Sequence, residues 1–222
     1  MPADMDTLNM QALIKATENT DTEELFRRGE EYCSHESYSS AVNMYRAAAW
    51  RHHALAQARL GDAYLNGKGV AKNYASAFKW YLQSARQGCP YGCMRLAYCY
   101  RNSIGCERDY DKSFRLDMYA AAHGIGDAQE AVGDCYFYGI RGQKKNPGFA
   151  FRRYRKAVDS GAKGALCNLG CCYEFGTGTE VNVQEAFSCF AEGARLGDPV
   201  CATNAGNHYY YGDCTKKDSA RR

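Results

Sequence analysis

Long apolar runs are missing from this 222-residue chain. No stretch approaches the roughly 18 consecutive apolar residues a membrane-spanning helix needs, so direct insertion into a bilayer is not expected. Proline is scarce, with 4 against 22 glycines, and the composition is neither collagen-like, disordered nor coiled-coil. An excess of one charge is also lacking: 28 basic residues face 25 acidic ones, a net +3 that steers neither nucleic acid nor anionic membrane. The opening residues 1–19 hold Asp4, Asp6 and Glu18 and no apolar run, which argues against a secretory signal and against an acidic-poor presequence. Catalytic signatures are absent too, with no G-x-S-x-G, H-E-x-x-H or Walker pattern. Gly67-Lys68-Gly69 and Gly176-Thr177-Gly178 look like pieces of a phosphate loop, but neither follows a strand and both fall at one repeat position, so they read as inter-helix turns. No catalytic, cofactor-binding or metal-binding residue is expected.

What the chain does have is 12 cysteines, 18 tyrosines and the 22 glycines, and an internal repeat accounts for most of them. Leu60-Gly61-Asp62-Ala63-Tyr64 recurs at Leu96-Ala97-Tyr98-Cys99-Tyr100, Val132-Gly133-Asp134-Cys135-Tyr136, Leu169-Gly170-Cys171-Cys172-Tyr173 and Ala205-Gly206-Asn207-His208-Tyr209. The spacings are 36, 36, 37 and 36 residues. Two further anchors keep the register: Ala77, Ser113, Ala150 and Ala186, then Gly88, Gly124, Gly161 and Gly197.

Each unit reads as two helices. Leu60, Ala63 and Tyr64 share one face at i, i+3, i+4, and a glycine-bearing loop over residues 66–70 ends the first helix. Asn73 is a suitable N-cap for the second, which turns Ala77, Trp80, Tyr81, Ser84 and Ala85 inward and stops at Gly88. Small residues at 61, 63, 77 and 84 allow helices to approach closely, so most glycines and many tyrosines serve packing.

Residues 22–53 form a shorter unit in which Gly29, Tyr32, Ala41, Tyr45 and Ala48 fall at tetratricopeptide spacings. Later units add four residues to the inter-helix loop. In that long-loop form, Ala56, Leu60, Gly61, Tyr64, Gly67, Gly69, Ala77, Trp80, Tyr81, Ala85 and Gly88 resemble the Sel-1-like repeat family, and Ala165, Leu169, Gly170, Tyr173, Gly176, Gly178, Ala186 and Gly197 do so again. The second long-loop unit departs from the pattern with Asn102-Ser103-Ile104-Gly105, and with Asp117 read at the place of Trp80; the third lengthens its loop over residues 141–147. The resemblance implies an all-α, right-handed α-α superhelix, a solenoid of stacked helix pairs with about five and a half repeats. The expected organisation is an N-terminal capping helix or arm (1–21, with Leu8, Leu13 and Ile14 available to pack) and a tetratricopeptide-like repeat (22–53). Sel-1-like repeats follow over 54–89, 90–125, 126–162 and 163–198, with a partial one at 199–212 and a polar tail at 213–222. The run Tyr209-Tyr210-Tyr211 suggests that something covers the last helix.

The cysteines invite chemistry. Cys99, Cys135 and Cys172 stand at the position of Ala63, and Cys201 at that of Ala56, which are small inward positions where a free thiol acts as a small hydrophobe. Buried, reduced thiols are therefore the preferred reading, in keeping with a cytoplasmic protein. Two other readings stay open. One is a disulfide framework, although the second helices hold only Cys189 and cannot build the one-bridge-per-pair staple of some secreted Sel-1-like proteins. The other is a metal site around Cys167, Cys171 and Cys201. Cys89 and Cys99 at C-x9-C spacing leave the mitochondrial intermembrane space as the alternative compartment. His52-His53 reads as a solvated pair at a helix end; Lys144-Lys145 with Arg152-Arg153-Tyr154-Arg155-Lys156 reads as a solvated basic face, with a docking patch for an acidic partner as the alternative.

Function must then lie on the surface. In tetratricopeptide-like solenoids the first helices line the concave face, and the resemblance implies exposed positions one, four and five residues after the anchor glycine and three before it. Those positions include Ala58, Asp62 and Leu65, and they yield a candidate partner-binding set of Asn66, Tyr98, Arg101, Asn102, Asp134, Phe137, Tyr138, Glu174, Phe175, Asn207 and Tyr210. Aromatics and Arg are enriched at binding hot spots. Phe137, Tyr138 and Phe175 could instead pack under the loops. Phe26, Glu30, Ala58 and Asp62 stand where chaperone-tail receptors carry a Lys and Asn clamp, so that ligand is not expected. The resemblance implies a non-enzymatic scaffold or adaptor for a protein or peptide partner, with oligomeric state undetermined; the alternative is a cysteine-dependent redox, metal-handling or assembly role.

Overall fold

The computed structural model describes residues 12, 13 and 15–212. Among them are eleven helices and no strand: α1 (Thr22–Ser34), α2 (Tyr38–Trp50), α3 (Ala54–Asn66), α4 (Tyr74–Arg86), α5 (Pro90–Asn102), α6 (Tyr110–Ala122), α7 (Gly126–Tyr138), α8 (Pro147–Asp159), α9 (Ala165–Phe175), α10 (Val183–Arg195) and α11 (Pro199–Tyr211). The chain divides into two compact units, residues 1–113 and 114–222. The expected capping helix and polar tail lie largely outside the described residues. Of the three capping side chains, Leu13 is described, and it packs half-buried on the core of the first unit. Arg51 fastens the chain just after it, donating to the carbonyls of Thr17 and Thr20 at 2.7 Å.

Local chemistry explains the helix ends. Asn73, Asn146 and Asn182 each cap a second helix, their side-chain oxygens accepting the N–H of Ser76, Phe149 and Glu185 at 2.9–3.1 Å, and Asp109 does the same for Lys112. The backbone N–H of each cap also donates to the carbonyl of the repeat tyrosine before it: Tyr64, Tyr100, Tyr136 and Tyr173. His53 corrects the expectation of a solvated histidine. It caps α3, with Nδ1 accepting from Ala56 N–H, and its ring stacks on Phe26 at 4.8 Å.

In the first unit α1 packs on α2 and α3 on α4, and the first helices α3 and α5 touch. Its core holds Leu25, Tyr45, Ala48, Ala56 and Leu60. In the second unit α7 packs on α8 and α9 on α10, and the first helices α9 and α11 touch. There the core is Phe151, Tyr154, Leu169, Cys172, Phe190 and Cys201.

One device recurs in both. A Cβ on Gly61 would sit 2.5 Å from the Tyr81 ring, and the same holds for Gly29 under Tyr45 (2.5 Å), Gly133 under Tyr154 (2.7 Å) and Gly170 under Phe190 (2.5 Å). The anchor glycine is absent of side chain because an aromatic ring occupies that space. A second device joins successive pairs: Phe78, Phe114, Phe151 and Phe187 meet Tyr100, Tyr136, Tyr173 and Tyr209 edge to face, at 5.0–6.1 Å between centroids.

This packing also corrects the register of the divergent unit. Asp117 lies 36 residues after Tyr81, so it replaces the core aromatic, and Leu116 stands at the place of Trp80. Asp117 is 1% exposed. Arg141, from the lengthened loop, reaches it at 3.4 Å and is itself 89% buried in its side chain. Arg141 holds a left-handed backbone at φ +54°, which a non-glycine residue seldom adopts.

Candidate protein-interaction surface

In the first unit the first helices bring together a polar cluster around a cavity of about 400 Å³. Asp62 on α3 is its centre. Tyr81 and Tyr91 donate their hydroxyls to its two oxygens at 2.7 and 2.6 Å, and Arg95 Nε lies 2.7 Å from Oδ1. That Nε–H does not aim at the oxygen, so the contact is ionic without being a good hydrogen bond. Arg59 forks onto Glu30 at 3.1 and 3.3 Å, and Tyr45 donates to the same carboxylate at 2.5 Å. Both guanidinium groups lie on rings: Arg59 over Tyr91 at 4.8 Å, Arg95 over Tyr81 at 5.4 Å and Tyr98 at 5.6 Å. Burial, then the Asp62 charge, pushes the Tyr91 hydroxyl up to about 12, so these phenols stay protonated donors. Burial works against the charged form of Arg95, but Asp62, Tyr81 and Tyr91 outweigh it and hold the guanidinium above its usual range.

The second unit carries a different face. Glu130 on α7 accepts from Asn168 at 3.2 Å, and Gly164 makes room for its carboxylate. Burial first, then Asp134, Asp127 and Asp198, push the Glu130 carboxyl up to about 7. Asp134 accepts the Tyr154 hydroxyl at 2.9 Å. His208 on α11 is 5% exposed, with its Nε2 3.8 Å from Glu174. Aromatics stand out from the ends of the first helices, with Tyr138 at 55%, Phe175 at 69% and Tyr210 at 80% exposure.

The Sel1 repeat profile matches residues 54–89, 90–116, 126–161, 164–198 and 199–221. The chain belongs to the Sel1 repeat family. Its fold is that of solved relatives. One is a protective antigen of uropathogenic Escherichia coli strains displaying an SLR fold, 27% identical, with a TM-score of 0.74 over 94% of this chain. The chain spans 45% of the length of that protein. Another is a Sel1 repeat protein from Oxalobacter formigenes, 26% identical, with a TM-score of 0.78 over 87% of this chain and 79% of that one. A comparison with curated proteins found no match.

Within this Sel1 solenoid the expected face positions behave unequally. Tyr138, Phe175, Asn207 and Tyr210 are exposed, as are Asn66 and Asn102, whose amides turn back onto the carbonyls of Asp62 and Tyr98. Tyr98, Arg101, Asp134 and Glu174 are half-buried. Phe137 is half-buried against Tyr154 and Tyr138, so of the three aromatics only this one packs down. Two face positions are corrected: Ala58 is fully buried and Leu65 is 8% exposed, because the first helices pack tightly on their neighbours there. Sequence reasoning missed Arg59, Arg95, Lys68 and Tyr91. The signal was available: Arg59 and Arg95 both stand two residues before the anchor, one helical turn from the aspartate position that was considered.

The eleven described cysteines form no disulfide. Cys99, Cys135, Cys172 and Cys201 are fully buried. Burial pushes the Cys99 and Cys172 thiols up to about 12, and those of Cys167, Cys171 and Cys201 up to about 11.

Proposed function

We propose that this Sel1 repeat protein is a non-enzymatic scaffold or adaptor that holds a partner protein or peptide on the face formed by its first helices. The observation that carries the reading is the exposure of Tyr138, Phe175 and Tyr210 at the ends of α7, α9 and α11. Large rings held in water are a cost that burial against a partner recovers, and rigid aromatics supply contact area at little entropic penalty. No helix among the described residues is long and apolar enough to cross a membrane. The cysteine-dependent alternative finds less support. Reactive thiols have lowered pKa values, and burial raises the cluster around Cys167 instead. Abundant cysteines outside any disulfide among the described residues accord with a reducing, cytoplasmic setting.

The test is affinity capture followed by quantitative binding of the recovered partner. Tyr138→Ala with Phe175→Ala is expected to weaken binding by about 2 kcal/mol or more, with the helical content intact. Arg152→Ala with Arg153→Ala, on the second helix α8, is expected to change it little. The reverse pattern would move the interaction to the second helices and overturn the reading.

A further inference from the structure

The cavity of the first unit has more donors than its own acceptors can use. Its two carboxylates are fully engaged: Glu30 by Tyr45 and Arg59, Asp62 by Tyr81, Tyr91 and Arg95. Its three cationic side chains are not. A guanidinium has five N–H groups. Among the described residues Arg59 spends two of them on Glu30, with Nη1 left 3.8 Å from Asp62. Arg95 makes one hydrogen bond, to the Tyr81 hydroxyl at 3.1 Å. Lys68, exposed at the rim of the cavity, rests over the Tyr38 ring at 4.8 Å and forms no ion pair among the described residues. Three cations against two carboxylates leave one positive charge for something else. The Tyr81 hydroxyl accepts one hydrogen bond from Arg95, but a neutral phenol does not balance a cation.

We infer that this cavity receives a carboxylate side chain from an acidic segment of the partner, held by the spare N–H groups of Arg59 and Arg95 with Lys68 at the entrance. The inference rests on the scaffold reading above and names the partner's chemistry. Charge complementarity selects an anion, since spent acceptors and spare donors leave nothing for a cationic ligand. The size selects a short segment: about 400 Å³ takes one or two residues and no folded domain. Cation–π contacts of Arg59 with Tyr91, and of Arg95 with Tyr81 and Tyr98, hold the donors in place before the ligand arrives, which lowers the ordering cost of binding. A charge-assisted fork to a carboxylate is among the stronger hydrogen-bonding arrangements.

The experiment is fluorescence anisotropy with the full chain and a fluorescein-labelled, C-terminally amidated octapeptide carrying four consecutive glutamates, against the same peptide with four glutamines. The glutamate peptide is expected to bind at least tenfold more tightly, and the difference should shrink in 0.5 M salt. Lys68→Glu should weaken it about tenfold or more. Lys79→Glu, an equal charge change on the exposed face of α4, should leave it within twofold. Arg95→Lys keeps the charge but removes the fork, and should weaken it several-fold while circular dichroism stays unchanged. Equal binding of the two peptides, or equal loss in Lys68→Glu and Lys79→Glu, would overturn the proposal. So would inorganic phosphate binding as tightly as the peptide, since the site would then serve a free anion. A partner whose binding falls with Tyr138→Ala, Phe175→Ala but ignores Lys68→Glu would overturn this cavity's role and leave the scaffold reading standing.

Discussion

The two units share an interior and differ on their faces. Gly29 and Gly61 lie under Tyr45 and Tyr81 in the first, as Gly133 and Gly170 lie under Tyr154 and Phe190 in the second. The position two residues before the anchor, however, reads Arg59 and Arg95 in the first unit and Ala131, Asn168 and Asn204 in the second. The position three before reads Ala58 and Met94, then Glu130, Cys167 and Thr203. One unit therefore gathers guanidinium groups around Asp62, and the other gathers carboxylates around Glu130. Interior positions answer to volume, and a ring admits only glycine beneath it. Face positions answer only to the local charge balance, so the same backbone carries opposite electrostatics.

The largest effect should come from the place where the shared interior is broken. Asp117→Ala leaves Arg141 buried without its carboxylate, and removal of one partner of a buried pair costs about 3–5 kcal/mol. Urea unfolding checks it; a loss below about 1 kcal/mol would mean that Asp117 is a tolerated substitute for the aromatic and no prop for the loop.

Next comes the shared device itself. Gly61→Leu and Gly133→Leu should each overpack a ring and cost about 1–3 kcal/mol or more, alike in the two units. Gly206 on α11, whose added Cβ would meet no described atom within 4 Å, offers the contrast: Gly206→Ala should raise the melting midpoint, since alanine is favoured over glycine by up to about 1 kcal/mol in a helix.

The acidic face of the second unit adds a pH signature. The Glu130 carboxyl titrates near 7 when folded and near 4.5 when unfolded, so folding takes up a proton between those values. The protonated form favours the fold, and the wild-type chain loses that advantage as pH rises from about 4.5 through 7. Glu130→Gln, unable to ionise, should gain on wild type across that window and keep the gain above it. Melting curves at pH 5 and pH 8 test the sign; equal differences at both would place Glu130 in water.

The smallest perturbation is chemical. With a thiol reagent at pH 8 the exposed Cys33 should react fast, while Cys99 and Cys172, buried and pushed up to about 12, should react only on unfolding. Mass spectrometry of the modified peptides separates them, and rapid labelling of Cys172 in the folded chain would contradict the core of the second unit.

The 36-residue period, the helix pairs, the asparagine caps and the inward cysteines were all readable from the chain, because each depends on neighbours within a few residues or at one fixed offset. Cys172 had to be buried once Ala63 was. The aromatic at Tyr81, Tyr154 and Phe190 was readable as core, but that it sits on the anchor glycine was not, since the pattern does not say which ring meets which backbone. The face was least legible. Leu65 and Ala58 share the spacing of exposed positions and are buried nonetheless, and Arg59 reaches Glu30 across 29 residues of sequence. Local hydrogen bonding and volume are written along the chain and specify the repeat. Ion pairs such as Arg59 with Glu30, or Arg141 with Asp117, exist only after stacking brings distant side chains together and removes the water between them, and the tertiary structure alone decides them.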